Sequence, residues 1–157
     1  MSRVDHPSYY GRKDGIECID IIRHYVCDIA NALKYIWRAG LKTEEGISDK
    51  DKEAEDLRKA LWYIKDFQKA MPCNVFVGAG NCTCFNMIEK LTSHSIEEII
   101  EPYCDNIKRA MKDLLFVGIA YHGNAFCHIQ SESFLEDAVK CIEKRLEEIE
   151  NGDSLSQ

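Results

Sequence analysis

The stretch from residue 6 to 42 reads HPSYYGRKDGIECIDIIRHYVCDIANALKYIWRAGLK and decides the first half of the fold. His6-Pro7 opens it as an extended arm, because the residue before a proline avoids helical backbone angles. From Ile16 to Ile29, apolar residues recur every three or four positions, which is typical of a helix with one buried face. The helix is expected to continue, or to restart after a short bend, as far as Gly40, where glycine favours a helix end.

The rest of the chain repeats the helical pattern. Lys52 to Met71 is predicted as a helix that partners the first stretch, and it ends at a proline. Ser95 with Glu98 has the spacing of a capping box, and Phe134 to Ile149 carries the last apolar stripe. Residues 73–93 are compatible with a hairpin or a structured loop, with one or two helical turns over Asn86 to Leu91. Residues 115–129 could be a buried helix end or two short strands, and their composition leans slightly to a β-hairpin. The predicted fold class is therefore mainly α, a helical bundle of about five or six helices with a possible β-hairpin insertion in the second half.

Charge divides the chain into two parts. The net charge is −7, and residues 1–71 carry 13 basic and 13 acidic side chains, so the whole deficit lies in 72–157. We predict a helical, nucleotide-binding-like module over 1–71 with an acidic, mainly helical extension over 72–157 packed on it as one globular unit. An acidic protein is a poor general partner for nucleic acid, since that binding is mostly phosphate neutralisation. A local basic pocket for a small anion remains compatible with this charge.

Composition sets the class of protein. Apolar residues make up 45% of the chain and charged residues 30%, as in an ordinary globular protein. No apolar run reaches the roughly 20 residues of a membrane span, and the N-terminus lacks the apolar stretch of a signal peptide. We therefore expect a cytoplasmic protein with no membrane partner.

The chain has eight cysteines, which are expected to be reduced thiols. Four lie in apolar helical patterns and are predicted to be small core residues: Cys18, Cys27, Cys104 and Cys141. The other four, with two histidines, are a possible but atypical zinc set, since Cys82 and Cys84 form a CxC rather than a CxxC: Cys73, Cys82, Cys84, Cys127, His122 and His128.

A row of polar side chains is the best candidate for an anion site. Asn31, Lys34, Arg38 and Lys42 follow one another at near-helical spacing. Three cationic groups within three turns would bind phosphate through charge-assisted hydrogen bonds. The alternative is a solvated face in which these cations pair with Glu55 and Asp56.

Acidic residues lie on both predicted helices. Glu17 and Asp20 share a helical face, and Glu55 and Asp56 are on the partner helix. Carboxylates from facing helices can hold Mg²⁺, which keeps several waters and bridges substrate phosphates. The alternative is that Glu17 and Asp20 pair with the basic row and orient it. The sequence thus predicts at most a magnesium site that matters only if the protein is an enzyme; binding alone requires no cofactor.

Aromatic residues could complete a nucleotide site. His6, Tyr9 and Tyr10 could stack on a base and contact a phosphate, or anchor the arm on the core. Lys59 and Tyr63 line the face of the second helix beside Glu55 and are added to the predicted ligand-binding set. Trp37 and Trp62 are predicted to be buried.

Four segments in order form a specific pattern: HPSYYG, GIECIDII, NALKYIWRAGLK and EDLRKALWYI. It resembles a family of small phage proteins, long labelled a domain of unknown function, which includes a nucleotide kinase of short-tailed coliphages that lacks a P-loop. The usual opening of that family is HPSHY, and Tyr9 replaces its second histidine here. The resemblance covers about residues 5–70 and none of the rest.

The resemblance implies a phage origin and a nucleotide ligand. By motif position, it implies that the ligand-facing residues are His6, Tyr10, Asn31, Lys34, Arg38 and Lys42. The acidic residues of the pattern would be Glu17, Asp20 and Glu55. Their arrangement is also loosely similar to that of all-α nucleotide pyrophosphohydrolases, which use ExxE and ExxD motifs with Mg²⁺.

Four functions follow from these observations. We rank first a protein that binds a phosphorylated or cyclic nucleotide without turnover, in a phage to sequester a host immune signal, because groups that grip phosphate are evident and a P-loop or nucleophile motif is not. The alternative is a Mg²⁺-dependent nucleoside monophosphate kinase, whose chemistry needs mainly positioning and electrostatics. A pyrophosphohydrolase and a purely structural module rank lower. A homo-oligomer is expected, since a site on two amphipathic helices is often completed by a neighbouring subunit.

Overall fold

The computed structural model describes residues 7–70, 87–117 and 131–154. The described part holds seven helices: α1 (Cys18–Ile22), α2 (Cys27–Arg38), α3 (Asp49–Ala70), α4 (Met87–Thr92), α5 (Ile96–Ile100), α6 (Asp105–Phe116) and α7 (Ser131–Ser154). The mainly helical prediction is confirmed, with short helices in addition to the long ones expected. In the described ranges, β structure is limited to two isolated bridges, Gly11 with Glu17 and Glu44 with Ile47.

The predicted β-hairpin finds no support. Most of the two segments proposed for it, 73–86 and 118–129, lies outside the described residues. The remainder is helical: α4 begins at Met87, and residues 115 and 116 complete α6. Short apolar runs are compatible with strands and with helix ends alike, so their composition did not separate the two.

Four long helices form a ring of contacts. α2 packs on α3, α3 on α7, α7 on α6, and α6 back on α2. Ion pairs show that α3 and α7 run antiparallel, since Arg58 pairs with Glu150 while Lys65, further along α3, pairs with Glu143. Buried side chains of both halves join in one core, from Ile16 to Ile149. No helix in the described ranges has the length and apolar composition needed to cross a membrane.

The first predicted helix is broken in two. α1 ends at Ile22 and α2 begins at Cys27, after the extended backbone of Val26. The break shifts the helical register, so Ile19 is exposed while Ile21 and Tyr25 are buried. A restart after a short bend was one of the two predicted outcomes, and it is the one observed.

Predicted helix ends are partly confirmed. Gly40 has a φ of +76° just after α2, the left-handed conformation that glycine adopts at low cost. The capping box of Ser95 and Glu98 begins α5 as predicted. α3 begins before Lys52, where the Ser48 hydroxyl accepts a hydrogen bond from the Asp51 N–H at 3.1 Å.

Two of the six burial predictions for cysteine and tryptophan are confirmed. Cys18 is buried, but Cys27 and Cys104 are exposed and Cys141 is half-buried. Trp37 is buried, whereas 61% of Trp62 is exposed. Cys73, Cys82, Cys84, Cys127, His122 and His128 lie outside the described residues, so the zinc prediction stays a prediction.

Three long-range hydrogen bonds tie the first half of the chain to the second. Arg12 Nη1 donates to the Ile99 carbonyl at 2.8 Å. The Tyr25 hydroxyl donates to the Leu115 carbonyl at 2.7 Å, and the Tyr103 hydroxyl to the Trp37 carbonyl at 3.2 Å. These bonds fix α1 and α2 against α5 and α6, and so hold the polar face of α2 towards α3.

Candidate functional site

Arg38 joins the two helices of the candidate site. It lies in the last turn of α2, and its Nε and Nη2 donate to the two carboxylate oxygens of Asp56 on α3 at 3.0 and 2.7 Å. Asp56 is fully buried. The planar guanidinium matches a carboxylate with two parallel hydrogen bonds, which fixes its orientation. The pairing with Asp56 that the sequence allowed as an alternative is therefore present.

The N-terminal arm reaches the same guanidinium. Arg38 Nη1 donates to the Tyr10 hydroxyl oxygen at 3.3 Å. Backbone hydrogen bonds hold Tyr10 in place, because its N–H donates to the Pro7 carbonyl and its own carbonyl accepts from Cys18 N–H. Partial burial raises the pKa of Tyr10, so its hydroxyl stays protonated at neutral pH. Tyr9 packs edge-on against the Tyr10 ring at 4.6 Å between centroids.

Tyr35 is the centre of the site. Arg38 Cζ lies 4.6 Å from the centroid of its ring, Lys34 Nζ 5.3 Å and Lys59 Nζ 5.8 Å. The Tyr63 ring stacks on it with centroids 5.7 Å apart and planes 18° apart. Aromatic faces attract cations within about 6 Å, so the ring can hold three like charges close together. We call this set, Lys34, Tyr35, Arg38, Lys59 and Tyr63, the aromatic–basic patch.

A chain of ion pairs extends from the patch along α3. Lys59 pairs with Glu55, which also pairs with the buried Lys52 at 2.7 Å. Lys52 pairs in turn with Glu44 at 2.9 Å, and Glu44 with Lys42 at 3.7 Å. Hydrogen bonds from Lys52 and then Lys59 lower the pKa of Glu55 to about 2. Glu55 is therefore an anion at neutral pH, with its oxygens engaged by two lysines.

Lys34 differs from the other two cations of the patch. Arg38 has Asp56 and Lys59 has Glu55 as a carboxylate partner. In residues 7–70, 87–117 and 131–154, Lys34 forms no ion pair, and its contact is with the Tyr35 ring. A half-buried ammonium without a carboxylate partner is the group in the patch best suited to receive an external anion.

The tentative magnesium ligands do not come together. Glu17 precedes α1 with extended backbone angles, Asp20 pairs with Arg23 at 2.9 Å, and Glu55 is held by lysines. Among the described residues there is no group of three or more acidic, histidine or cysteine side chains that could hold a metal ion. Magnesium binding at these residues stays a prediction.

The other predicted ligand residues are placed less centrally. Asn31 Nδ2 donates back to the Cys27 carbonyl one turn earlier at 3.0 Å. Lys42 lies at the far end of the ion-pair chain. His6 lies outside the described residues. Of the predicted ligand set, the structure thus brings Lys34, Arg38, Lys59 and Tyr63 together around Tyr35, with Tyr10 hydrogen-bonded to Arg38.

Two residues of the site were assigned otherwise from sequence. Asp56 orients Arg38, whereas from sequence it was considered either a surface partner of the basic row or, beside Glu55, a carboxylate for Mg²⁺. Trp62 was predicted to be buried, yet it lies edge-on to Tyr63 at 4.9 Å between centroids and is mostly exposed. Its position next to Leu61, off the stripe of Leu57, Leu61 and Ile64, was the signal that it points away from the core.

Comparison with known proteins finds a match to a family of unknown function. Residues 4–65 match the model of a family described as a protein of unknown function, DUF3310. The match includes every residue of the aromatic–basic patch, and also Asp56 and Trp62. No curated protein matches the chain, and no solved structure matches it either.

Proposed function

We propose that the protein binds a phosphorylated nucleotide at the aromatic–basic patch and releases it unchanged. The observation that carries the proposal is the convergence of Lys34, Arg38 and Lys59 on the Tyr35 ring, each within 6 Å of its centroid. A phosphate placed at Lys34 would form charge-assisted hydrogen bonds with its ammonium group. The fixed Arg38 beside it adds a positive field without having to reorganise.

An exposed aromatic ring provides the second half of a nucleotide site. Trp62 precedes Tyr63 on α3 and follows Lys59 by three positions, so the indole and the ammonium of Lys59 are neighbours on the helix. Bases stack on aromatic side chains with about 1–3 kcal/mol per base. A nucleotide can therefore place its base on Trp62 and its phosphate towards Lys34 and Lys59.

Binding without turnover is favoured because the carboxylates at the patch are already engaged. Asp56 accepts both hydrogen bonds of the Arg38 fork, and Glu55 is bonded by two lysines. The lowered pKa of Glu55 makes it a weak proton acceptor, and a carboxylate bonded to cations is a poor metal ligand until those cations move. The resemblance to phage proteins adds a biological setting, in which the protein sequesters a host nucleotide signal.

The test is calorimetric binding of adenine, guanine, cytosine and uracil nucleotides, with and without Mg²⁺, followed by chromatography of the recovered ligand. We expect saturable binding with intact ligand. A ligand that is converted to a new product would contradict the proposal. A nucleoside diphosphate that forms from a monophosphate and a triphosphate with Mg²⁺ would establish the kinase alternative instead.

Variants locate the site. Lys34→Gln should weaken binding about tenfold or more through loss of a charged hydrogen bond, and Trp62→Ala should weaken it by a similar factor through loss of stacking. The matched control for Lys34→Gln is Lys65→Gln. Lys65 is an exposed lysine on α3 that pairs with Glu143 on α7, on the side of α3 opposite the patch. Equal affinities for the Lys34 and Lys65 variants would place the ligand elsewhere.

A further inference from the structure

The number of charges at the patch limits the ligands it can hold. Three cations surround Tyr35, and two of them have a carboxylate partner, Asp56 for Arg38 and Glu55 for Lys59. The patch therefore has one net positive charge, which belongs to Lys34. The ion-pair chain beyond Glu55 adds Lys52, Glu44 and Lys42, two cations and one anion, and hence one further positive charge.

The residues outside the described ranges can add little charge to the patch. The sequence outside the described ranges is 1–6, 71–86, 118–130 and 155–157. At neutral pH its charged side chains are Arg3 and Asp5, besides three histidines, so it can supply a single further arginine. The protein as a whole has a net charge of −7, which adds a repulsive background for any anion.

Phosphate groups differ in how much positive charge they need. A phosphodiester carries one negative charge, and a monoester carries about 1.5 to 2 at pH 7. A triphosphate carries more than either, and its binding sites commonly supply a metal ion as well as cationic side chains to neutralise it. Placed at Lys34, a triphosphate would bring its additional charges close to the paired carboxylates Glu55 and Asp56.

We propose that the patch selects a nucleotide whose phosphate carries one to two negative charges, as in a nucleoside monophosphate or a cyclic phosphodiester, over the triphosphate of the same nucleoside. The proposal rests on the proposed nucleotide binding and specifies its ligand class. Its basis is that Lys34 is the one cation of the patch without a carboxylate partner in the described part of the chain.

The experiment measures Kd by calorimetry for a series with one base and increasing charge, at low salt and with EDTA. The probes are the 3′,5′-cyclic monophosphate, a cyclic dinucleotide, and the mono-, di- and triphosphates, for each of the four bases. We expect the cyclic or monophosphate ligand of the preferred base to bind more tightly than the triphosphate. A triphosphate that binds as tightly as both, or more tightly, would overturn this proposal and leave nucleotide binding intact. No binding of any probe would overturn both.

Changing the charge of the patch should change the selection. Glu55→Gln removes one of the compensating carboxylates, so the Kd of the triphosphate relative to the monophosphate should fall about fivefold or more. Glu143→Gln is the matched control, since Glu143 is an exposed acid on α7 paired with Lys65, and it should leave the ratio unchanged. If Glu55→Gln does not fold, Asn31→Lys adds the charge one turn before Lys34. An unchanged ratio in a folded variant of either kind would overturn the proposal.

Discussion

Two buried aspartates, one on α3 and one on α6, lie in opposite electrostatic environments. Asp56 on α3 is fully buried and accepts both hydrogen bonds of the Arg38 fork. Asp113 on α6 is 9% exposed, and its Oδ2 has no hydrogen-bond partner in the described part of the chain. The first carboxylate lies at the candidate site and the second at the contact of α6 with α7.

The surroundings of Asp113 change its protonation. Burial, and then the nearby charge of Asp137 on α7, raises the pKa of Asp113 to about 6, against the opposing influence of Arg109 and Lys112. A buried charge is tolerated where a group of opposite charge is bonded to it. Where there is no such partner, burial shifts the pKa towards the neutral form. Asp56 is thus held by two hydrogen bonds from Arg38, whereas Asp113 is a buried group whose protonation changes at mildly acidic pH.

The largest expected effect comes from breaking the paired aspartate. Asp56→Ala leaves the Arg38 guanidinium buried without its carboxylate, and we expect the free energy of unfolding to fall by about 3–5 kcal/mol. Urea denaturation at pH 7 measures this loss.

A double variant separates two effects of Asp56→Ala: the loss of the ion pair and the burial of an unpaired Arg38 charge. Because apolar replacement of both members of a buried pair is often neutral, Arg38→Met with Asp56→Leu should lose less than Asp56→Ala alone. A loss below about 1 kcal/mol in Asp56→Ala would contradict the view that the pair is a structural element.

The unpaired aspartate should respond in the opposite direction. Asp113→Asn removes a charge that the folded state disfavours, and we expect about 1–3 kcal/mol of added stability at pH 8. Because the folded pKa is raised above the ordinary Asp value of 3.8, the wild type gains a proton on its folded state first. The advantage of the variant should therefore shrink as the pH falls through 6 towards 4.

Urea denaturation of both proteins at intervals between pH 8 and pH 4 measures this dependence. Asp105→Asn, an exposed acid in the first turn of the same helix, is the control for a general effect of charge removal. An advantage that stays constant across the range would contradict the assignment of the titration to Asp113.

Lys52 is a third buried charged residue, and replacing it should have the smallest effect on stability of the three. Lys52 is 3% exposed, but its partners Glu44 and Glu55 are partly exposed, and each has a second lysine nearby. Lys52→Met keeps the buried stem and leaves no isolated buried charge, so we expect a loss of no more than about 1 kcal/mol. If a thermal melt shows that Lys52→Met loses as much stability as Asp56→Ala, burial alone would set the energetic cost of removing a charged side chain.

Local sequence patterns predicted much of the fold. The α3 helix, the glycine end of α2 and the capping box at Ser95 depend on neighbouring residues, and all three are present. The break between α1 and α2 was left open, because Tyr25 is buried through a hydrogen bond to Leu115, ninety residues away. No pattern within a helical turn carries that information.

The site was predicted in part for the same reason. The basic row on α2 and Lys59 with Tyr63 on α3 could be listed from helical spacing, and they do meet. Whether Arg38 is already paired depends on how α2 and α3 are aligned against each other. That alignment brings Asp56 to Arg38, and spacing along a single helix does not specify it. The pair of Glu55 with Lys59 and the exposure of Trp62 follow from spacing along α3 alone, and sequence reasoning could have found both.

The three hydrogen bonds between the halves have a consequence for how the chain folds during synthesis. Arg12, Trp37 and Tyr25 have partners 87, 66 and 90 residues further along. A ribosome therefore releases α1 and α2 well before α5 and α6 exist to complete them, and contacts of such long sequence separation form late. The segment that matches the family model must wait, incompletely packed, for a second half that the match does not include.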